Sequence, residues 1–444
     1  MYFLLMNCYV ERGGAFSLNN SEILVSLDIG TTKIKVIIGE VLSDSLNIIG
    51  VGTAKSLGMK KGAIVDIDQT VQSIRNAIEQ AERMVGMQIG RVVVGINGNH
   101  IGLQPCHGVV AVQSENREIG NEDITRVIDG AQVVSIPPER EIIDVVPQQF
   151  IVDGLDGITD PRGMIGVRLE MEGTLITCSR TVLHNTLKCV ERAGLEVSDI
   201  CLSPLAAGMI ALSDDEKNMG VALIDVGGGC TTISVFENDH LAATSVVNLG
   251  GDNITKDLSI GLRTSTDEAE EVKVNYGHAF YDDAQEEETF DVSIIGSNVR
   301  QTYSQLQVSD MIEARLEEIF AFAEREIRRM GYHELPGGYV LTGGTMAMSG
   351  TLELAQSLFY SNVRIAIPDY IGVREPLFTT GVGILQFAYR NAKIQGKELY
   401  PAIAEMDQEV KPKRNPKKPK SKEPRENKKK KDSGIANLFK YFFD

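Results

Sequence analysis

The sequence holds no apolar run approaching the ~20 residues that a helix needs to span a bilayer, so nothing in it reads as a transmembrane segment. The opening MYFLLM is too short for a signal-peptide core and runs into Glu11 and polar residues. Residues 1–20 are therefore expected to form a disordered extension. Paired cysteines are missing too. Cys8, Cys106, Cys178, Cys189, Cys201 and Cys230 are scattered with no C-x-x-C among them. That spacing disfavours a zinc site and a disulfide framework and points to reduced thiols. There is no G-x-x-x-x-G-K-[ST], which excludes a P-loop, and no G-x-G-x-x-G at a strand–helix turn, which removes a dinucleotide fold. Positive charge is scarce outside one segment. The net charge is −17, yet residues 411–431 alone carry +10 and the last thirteen residues −1, leaving −26 for residues 1–410. So acidic a body does not suggest nucleic acid, whose binding face should be basic.

What is present is a repeat. LVSLDIGTTKIKVIIGE (24–40) and VALIDVGGGCTTISVFE (221–237) each run from an apolar β-rich segment into Asp-x-Gly, turn, and return as a second β-rich segment. Asp28 and Asp225 lie 197 residues apart, a domain-scale duplication and not a short solenoid repeat. The first half continues with strands around 47–53 and 91–97 and a helix stopped by Gly86, its apolar face Val71, Ile74, Ile78, Ala81 and Val85. The second has strands near 241–248, 338–342 and 363–367 and a long helix near 308–330. Mixed elements in two similar halves predict an α/β architecture of two lobes. Residues 101–182 are surplus to the first half. A helix at about 122–134 and β stretches around 142–153 and 165–178, punctuated by the PPER and DPRG turns, read as a small inserted α+β domain. After residue 400, prolines and lysines leave almost nothing to bury, and a disordered basic tail is expected.

Two Asp-x-Gly hairpins facing each other can hold the phosphates of a nucleotide. Glycine lets the backbone approach closely, and turn amides point at the anion. Thr31, Thr32, Thr231 and Thr232 can add hydroxyls, and Lys33 a point charge. An aspartate at each turn can hold Mg2+ through water. Either hairpin alone would be an ordinary turn; the matched pair points to a cleft, and TGG (342–344) after a strand-like GYV is a third element in the right order.

LDIGTTKIKV, IDVGGGCTTISV and YVLTGGTMAMSG resemble the two phosphate motifs and the adenosine motif of the actin superfamily. SPLAAGMIAL (203–212) and TTGVGILQFA (379–388) resemble its two hinge helices. Within that superfamily, ITRVIDGAQVVSIPPEREIIDVVPQQFIVDG and DPRGMIGVRLEMEGTLITC are similar to the inserted domain of the FtsA family of bacterial cell-division proteins. The resemblance spans residues 22–395 and the terminal helix. It implies an actin-like ATPase fold, with two lobes around a nucleotide cleft. The first lobe would take 21–100, 183–215 and 366–395, and the inserted interaction domain 101–182. The second lobe would be 216–365, with 252–330 as its outer subdomain. A basic linker (396–432) and a membrane-binding helix (433–444) would follow.

The resemblance also implies ATP and Mg2+. Asp28, Gly30, Thr31, Thr32, Lys33, Asp225, Gly227, Gly228, Gly229 and Thr231 would meet phosphates and metal, with Asp28 and Asp225 positioning metal or water. Glu270 and Lys273 would lie at ribose and base, and Gly343 and Gly344 at the adenosine. On residue types alone, Glu270 and Lys273 read as an exposed i,i+3 helix pair. The function implied is a filament-forming division protein that tethers the FtsZ ring to the cytoplasmic face of the membrane and recruits later division proteins through the inserted domain. The FtsZ C-terminal peptide would meet the outer subdomain, where Arg300 and Arg315 are candidate contacts or simply solvated arginines. Two departures stand out. Cys230 and Thr232 replace the first Thr and the Asp of the GGGTTDI common among relatives, and Ser203 stands where well-hydrolysing bacterial actins often carry Glu. At most a slow ATPase is expected. The alternative is a small-molecule kinase or phosphatase of the same superfamily, which would need a substrate pocket with a catalytic Asp. An Hsp70-type chaperone would need a β-rich domain after residue 390.

The tail ends in GIANLFKYFF (434–443), where Ile435, Leu438, Phe439, Phe442 and Phe443 fall at i, i+3, i+4, i+7 and i+8, on one helical face. A helix of that length, about 15 Å, can lie in an anionic membrane surface but cannot cross it.

Overall fold

The computed structural model describes residues 22–42, 45–98, 100–297 and 299–395. The expectations for the N-terminal extension, the basic linker and the terminal helix lie outside them.

The first lobe starts with β1 (Glu22–Ile29), buried in all but its first residue, paired antiparallel with β2 (Lys33–Leu42), which pairs with β3 (Ser45–Lys55). A small hairpin, β4 (Met59–Lys60) and β5 (Ala63–Ile64), precedes α1 (Ile67–Val85). The Asp66 side chain caps α1 by accepting from the Gln69 amide at 3.0 Å, and Gly86 ends it in the left-handed region. Its Val71, Ile74, Ile78 and Ala81 are buried, as the helical spacing requires. β6 (Arg91–Ile96) then runs parallel to β1.

Between β6 and the return of the chain to this lobe come β7 (Gly102–Ala111), α2 (Asn121–Ala131), β8 (Arg140–Val152), β9 (Leu155–Ile158) and β10 (Arg168–Ser179). They form an antiparallel sheet in the order β7-β10-β8-β9 with α2 packed on it. Ile124 and Val127 meet Phe150, Leu169, Met171 and Leu175 in a core of their own. An unbroken local core is what allows such a unit to be inserted without disturbing its host.

α3 (Arg180–Arg192) leads to β11 (Glu196–Leu202), parallel to β6, and then to α4 (Ser203–Ala211) and α5 (Asp214–Met219). The second lobe repeats the first. β12 (Val221–Val226), β13 (Thr231–Glu237) and β14 (His240–Val247) form its antiparallel part. Next come α6 (Gly251–Gly261), α7 (Thr266–Tyr276), a hairpin of β15 (Thr289–Ser293) and β16 (Arg300–Ser304), and α8 (Gln305–Arg329). β17 (Tyr339–Thr342), α9 (Thr351–Leu358) and β18 (Val363–Ile365) complete it before α10 (Thr379–Gln395). The two central sheets run β3-β2-β1-β6-β11 and β14-β13-β12-β17-β18, with antiparallel and parallel pairs in the same places. The repeat read from two hairpins is thus a repeat of two whole sheets. α10 packs against α4 and β1, so the last described helix returns to the first lobe. Among the described residues no helix is long and apolar enough to cross a membrane.

Candidate nucleotide cleft

Each phosphate-type hairpin turns at the end of a buried central strand, and the two turns are built alike. The Gly30 amide donates to the Lys33 carbonyl at 3.2 Å, and the Gly227 amide to the Cys230 carbonyl at 3.0 Å. The turns meet across the gap between lobes. The Thr32 hydroxyl donates to Asp252 at 3.1 Å, and the Asp252 amide to the Gly228 carbonyl at 2.8 Å. Lys55 of β3 reaches Asp267 of α7 at 3.2 Å at the exposed rim. Enclosed between them is a cavity of about 370 Å³, within the range of small-molecule sites. Asp28, Gly30, Thr31, Thr32 and Lys33 line one wall; Asp225, Gly227, Gly228 and Gly229 line the other. Glu270, Lys273, Gly343 and Gly344 line it as well.

Four residues are held differently from what residue type alone suggests. Thr231 is fully buried and its hydroxyl donates to the Leu249 carbonyl at 2.8 Å, away from the cavity, while Thr232 lines it. The reason is strand alternation: Asp225 pairs with Thr232, so 231 points to the opposite face. Glu270 and Lys273 are not an exposed pair. Lys273 is 8 % exposed, and its ammonium donates to Glu270 at 2.6 Å, the Thr255 hydroxyl at 2.8 Å and the Gly251 carbonyl at 3.2 Å. Glu270 presents the more open group of the two. Arg315 is no freely solvated arginine: it grips both oxygens of Asp257, at 2.6 and 3.1 Å, and contacts Glu318. Arg300, at the start of β16, is exposed.

Lys35, Asp252 and Thr380 are cleft residues that motif reading passed over. Lys33 is exposed, whereas Lys35 pairs with the 4 % exposed Asp28 at 2.6 Å. Asp225 is partly open to the cavity but surrounded by protein, and that burial pushes its carboxyl above the ordinary range. Lys35 opposes the rise, Asp28 adds to it, and the Thr380 hydroxyl, donating at 3.2 Å, also opposes it. The Ser203 hydroxyl, at the first turn of α4, borders the cavity, is buried and has no hydrogen-bond partner among the described residues. It is a polar atom left for a water or a ligand.

Cys230 lines the same cavity. Burial, with the charge of Asp225, pushes its thiol up to about 11, the Thr31 hydroxyl opposing. Only thiolates alkylate, so Cys230 is expected to react with iodoacetamide at pH 8 roughly a hundredfold more slowly than a free cysteine. Peptide mass spectrometry over a time course checks this, and alkylation at the free-thiol rate would contradict the enclosed turn.

Residues 222–383 match the family model described as cell division protein FtsA, and residues 98–177 match the SHS2 domain inserted in FtsA. The chain is 62 % identical over 382 residues to cell division protein FtsA of Bacillus subtilis, covering 86 % of this chain and 87 % of that one. This chain belongs to the FtsA family of cell division proteins. The FtsA of Escherichia coli is 34 % identical over 382 residues, with 82 % and 90 % of the two chains covered. The match to the inserted domain, residues 98–177, falls on the β7–β10 unit. Its fold is the actin-like one. The PilM–PilN type IV pilus biogenesis complex aligns with a TM-score of 0.55 at 16 % identity, over 82 % of this chain and 98 % of that one. MreB5 of Spiroplasma citri bound to ADP aligns with a TM-score of 0.50 at 14 % identity, over 84 % and 98 %.

Proposed function

We propose that this FtsA binds ATP with Mg2+ in the cleft and works as a filament-forming adaptor, tethering the FtsZ ring to the cytoplasmic face of the membrane and recruiting later division proteins. The observation that carries the nucleotide reading is the pair of equivalent turns facing one cavity, with Asp28 and Asp225 beneath them. The MreB5 fold relative named as bound to ADP supports it. Turn amides and Thr31, Thr32 and Thr232 would hold phosphate oxygens; Gly343 and Gly344 leave room for the adenosine, with Glu270 near the ribose. Among the described residues no three His, Cys, Asp or Glu side chains converge as a metal cage. The two aspartates therefore fit a Mg2+ carried by the phosphates and its own water, the usual habit of that ion. It would neutralise phosphate charge there. With Ser203 in place of a carboxylate at the α4 start, slow turnover is expected.

The adaptor reading joins three surfaces. The inserted domain would contact later division proteins and the neighbouring copy in a filament, and the outer subdomain would take the acidic FtsZ C-terminal peptide, with Arg300 the exposed candidate. Arg315, committed to Asp257, would support that surface from within. The membrane part rests on the tail sequence. Burying Ile435, Leu438, Phe439, Phe442 and Phe443 is worth at most roughly 8–15 kcal/mol. Ordering ten residues costs roughly 10 kcal/mol or more, so the helix alone is marginal. Lys428–Lys431 immediately before it would add about 1 kcal/mol each at an anionic surface. Liposome flotation tests this. Wild type is expected to float on anionic vesicles and to carry FtsZ with it, Phe439→Glu to stay at the bottom, and high salt or neutralised Lys428–Lys431 to weaken flotation. Undiminished flotation of Phe439→Glu would remove the anchor.

A further inference from the structure

The first hairpin carries a cation that its counterpart lacks. Across β1 and β2, Asp28 stands opposite Lys35; across β12 and β13, Asp225 stands opposite Thr232. Lys35 thus stands directly against Asp28, and its charge also acts on Asp225. Lys35 is 11 % exposed at its side chain; its Nζ lies 2.6 Å from Asp28 and donates to the Leu377 carbonyl at 3.1 Å. Leu377 sits just before α10, and three residues on Thr380 donates to Asp225 at 3.2 Å. The same short segment holds Thr342 of the second lobe, whose hydroxyl donates to the Pro376 carbonyl at 3.2 Å. Residues 376–380 are thus the place where the first lobe's lysine and the second lobe's strand ends are joined.

We propose that Lys35 is a resident counter-ion: it balances the cleft carboxylates and ties the first lobe to the α10 segment, so that the nucleotide-free protein neither needs nor retains a divalent cation. A buried carboxylate without a partner is strongly unfavourable, and two facing each other more so. Mg2+ ordinarily answers that problem in a phosphate site, and here a lysine on the adjacent strand answers it from within. A divalent ion arriving with a nucleotide meets carboxylates already neutralised in part, so its binding depends on the phosphates that accompany it. Lys35 is on this view a positioning residue. Lys33, two residues earlier and exposed, is not the residue paired with Asp28.

The inference rests on the nucleotide reading of the cleft only for the identity of the competing cation, and its test contains no nucleotide. Nucleotide-stripped full-length wild type, Lys35→Met, Lys35→Arg and the double variant Asp28→Asn/Lys35→Met are titrated with Mn2+ by electron paramagnetic resonance. Each is also melted with and without Mg2+. Wild type and Lys35→Arg are expected to melt at a temperature indifferent to Mg2+ and to bind Mn2+ weakly. Lys35→Met should melt several degrees lower, recover with Mg2+, and bind Mn2+ roughly tenfold or more tightly, since two uncompensated carboxylates attract a dication. The double variant should regain stability without metal. If Lys35→Met does not fold, recovery in the double variant still carries the proposal, and a double variant that is equally unfolded overturns it. Equal Mn2+ binding by wild type and Lys35→Met overturns it as well. Failure of ATP to bind wild type would instead sink the nucleotide reading and leave these results standing.

Discussion

Gly228→Val is expected to abolish nucleotide binding, at least a hundredfold in affinity by the size of the clash, while leaving the lobes folded. A Cβ at Gly228 would lie 1.7 Å from the Thr32 hydroxyl oxygen, 2.8 Å from the Thr32 Cβ and 2.8 Å from an Asp252 oxygen. None of these atoms belongs to the sheet that carries Gly228: Asp252 is on α6 of the same lobe, and Thr32, which supplies the two others, is in the other lobe. The strain is therefore relieved by parting the two turns, not by unpairing a strand. Parted turns cannot both reach one chain of phosphates, and the cross-cleft bond from Thr32 to Asp252 is lost with them. Circular dichroism should show a melting temperature close to that of wild type, and a fluorescent ATP analogue should fail to bind. A variant that binds ATP normally would mean that the turns do not close on the ligand.

The second large effect lies at the hinge. A Cβ at Gly383 of α10 would lie 2.1 Å from the Ala206 carbonyl oxygen, 2.5 Å from its carbon and 3.1 Å from the Ala207 nitrogen, all backbone of α4. Replacing glycine by alanine inside a helix ordinarily stabilises by about 1 kcal/mol. Here the backbone of one helix must move away from the other, and overpacking of that kind costs roughly 1–3 kcal/mol or more. The clash outweighs the gain in helix propensity, so Gly383→Ala should lower the melting temperature by several degrees. Gly130→Ala supplies the contrast: in α2 a Cβ at that position meets nothing within 4 Å, so the helix-propensity gain should emerge undiminished. Equal effects of the two substitutions would remove the close α4–α10 contact from the explanation. Because α4 carries Ser203 into the cleft and α10 carries Thr380, Gly383→Ala is also expected to weaken nucleotide binding.

The duplication was legible in the sequence because each half places the same punctuation, Asp-x-Gly between β-rich runs, on a central strand. α1 was legible because Val71, Ile74, Ile78 and Ala81 keep helical spacing up to a glycine that can end the helix. What failed at Thr231 was a rule that was available: in an antiparallel pair the residue opposite Asp225 shares its face, and that residue is Thr232. In the first hairpin Lys33 and Lys35 share a face, and it is the register that puts Lys35 directly opposite Asp28. Asp252 and the more distant partners of Lys273, Thr255 and Gly251, were beyond any such rule. They depend on where α6 and α7 dock against the turns, and that is set by packing between segments distant in sequence. Arg315 illustrates the same limit, since its commitment to Asp257 joins residues of α6 and α8 that are 58 apart in sequence.

ATP binding to the full-length protein, measured by isothermal titration calorimetry with and without Mg2+ for wild type and Asp225→Ala, tests the nucleotide cleft most directly. Asp225 lies under the second turn, held by Thr380 and balanced by Lys35 from the other lobe, so it belongs to both halves of the site. Saturable binding at one ATP per chain that needs Mg2+ and falls roughly a hundredfold in Asp225→Ala is the expected result. A folded Asp225→Ala protein that binds ATP as tightly as wild type, or a wild type that binds none, would contradict it.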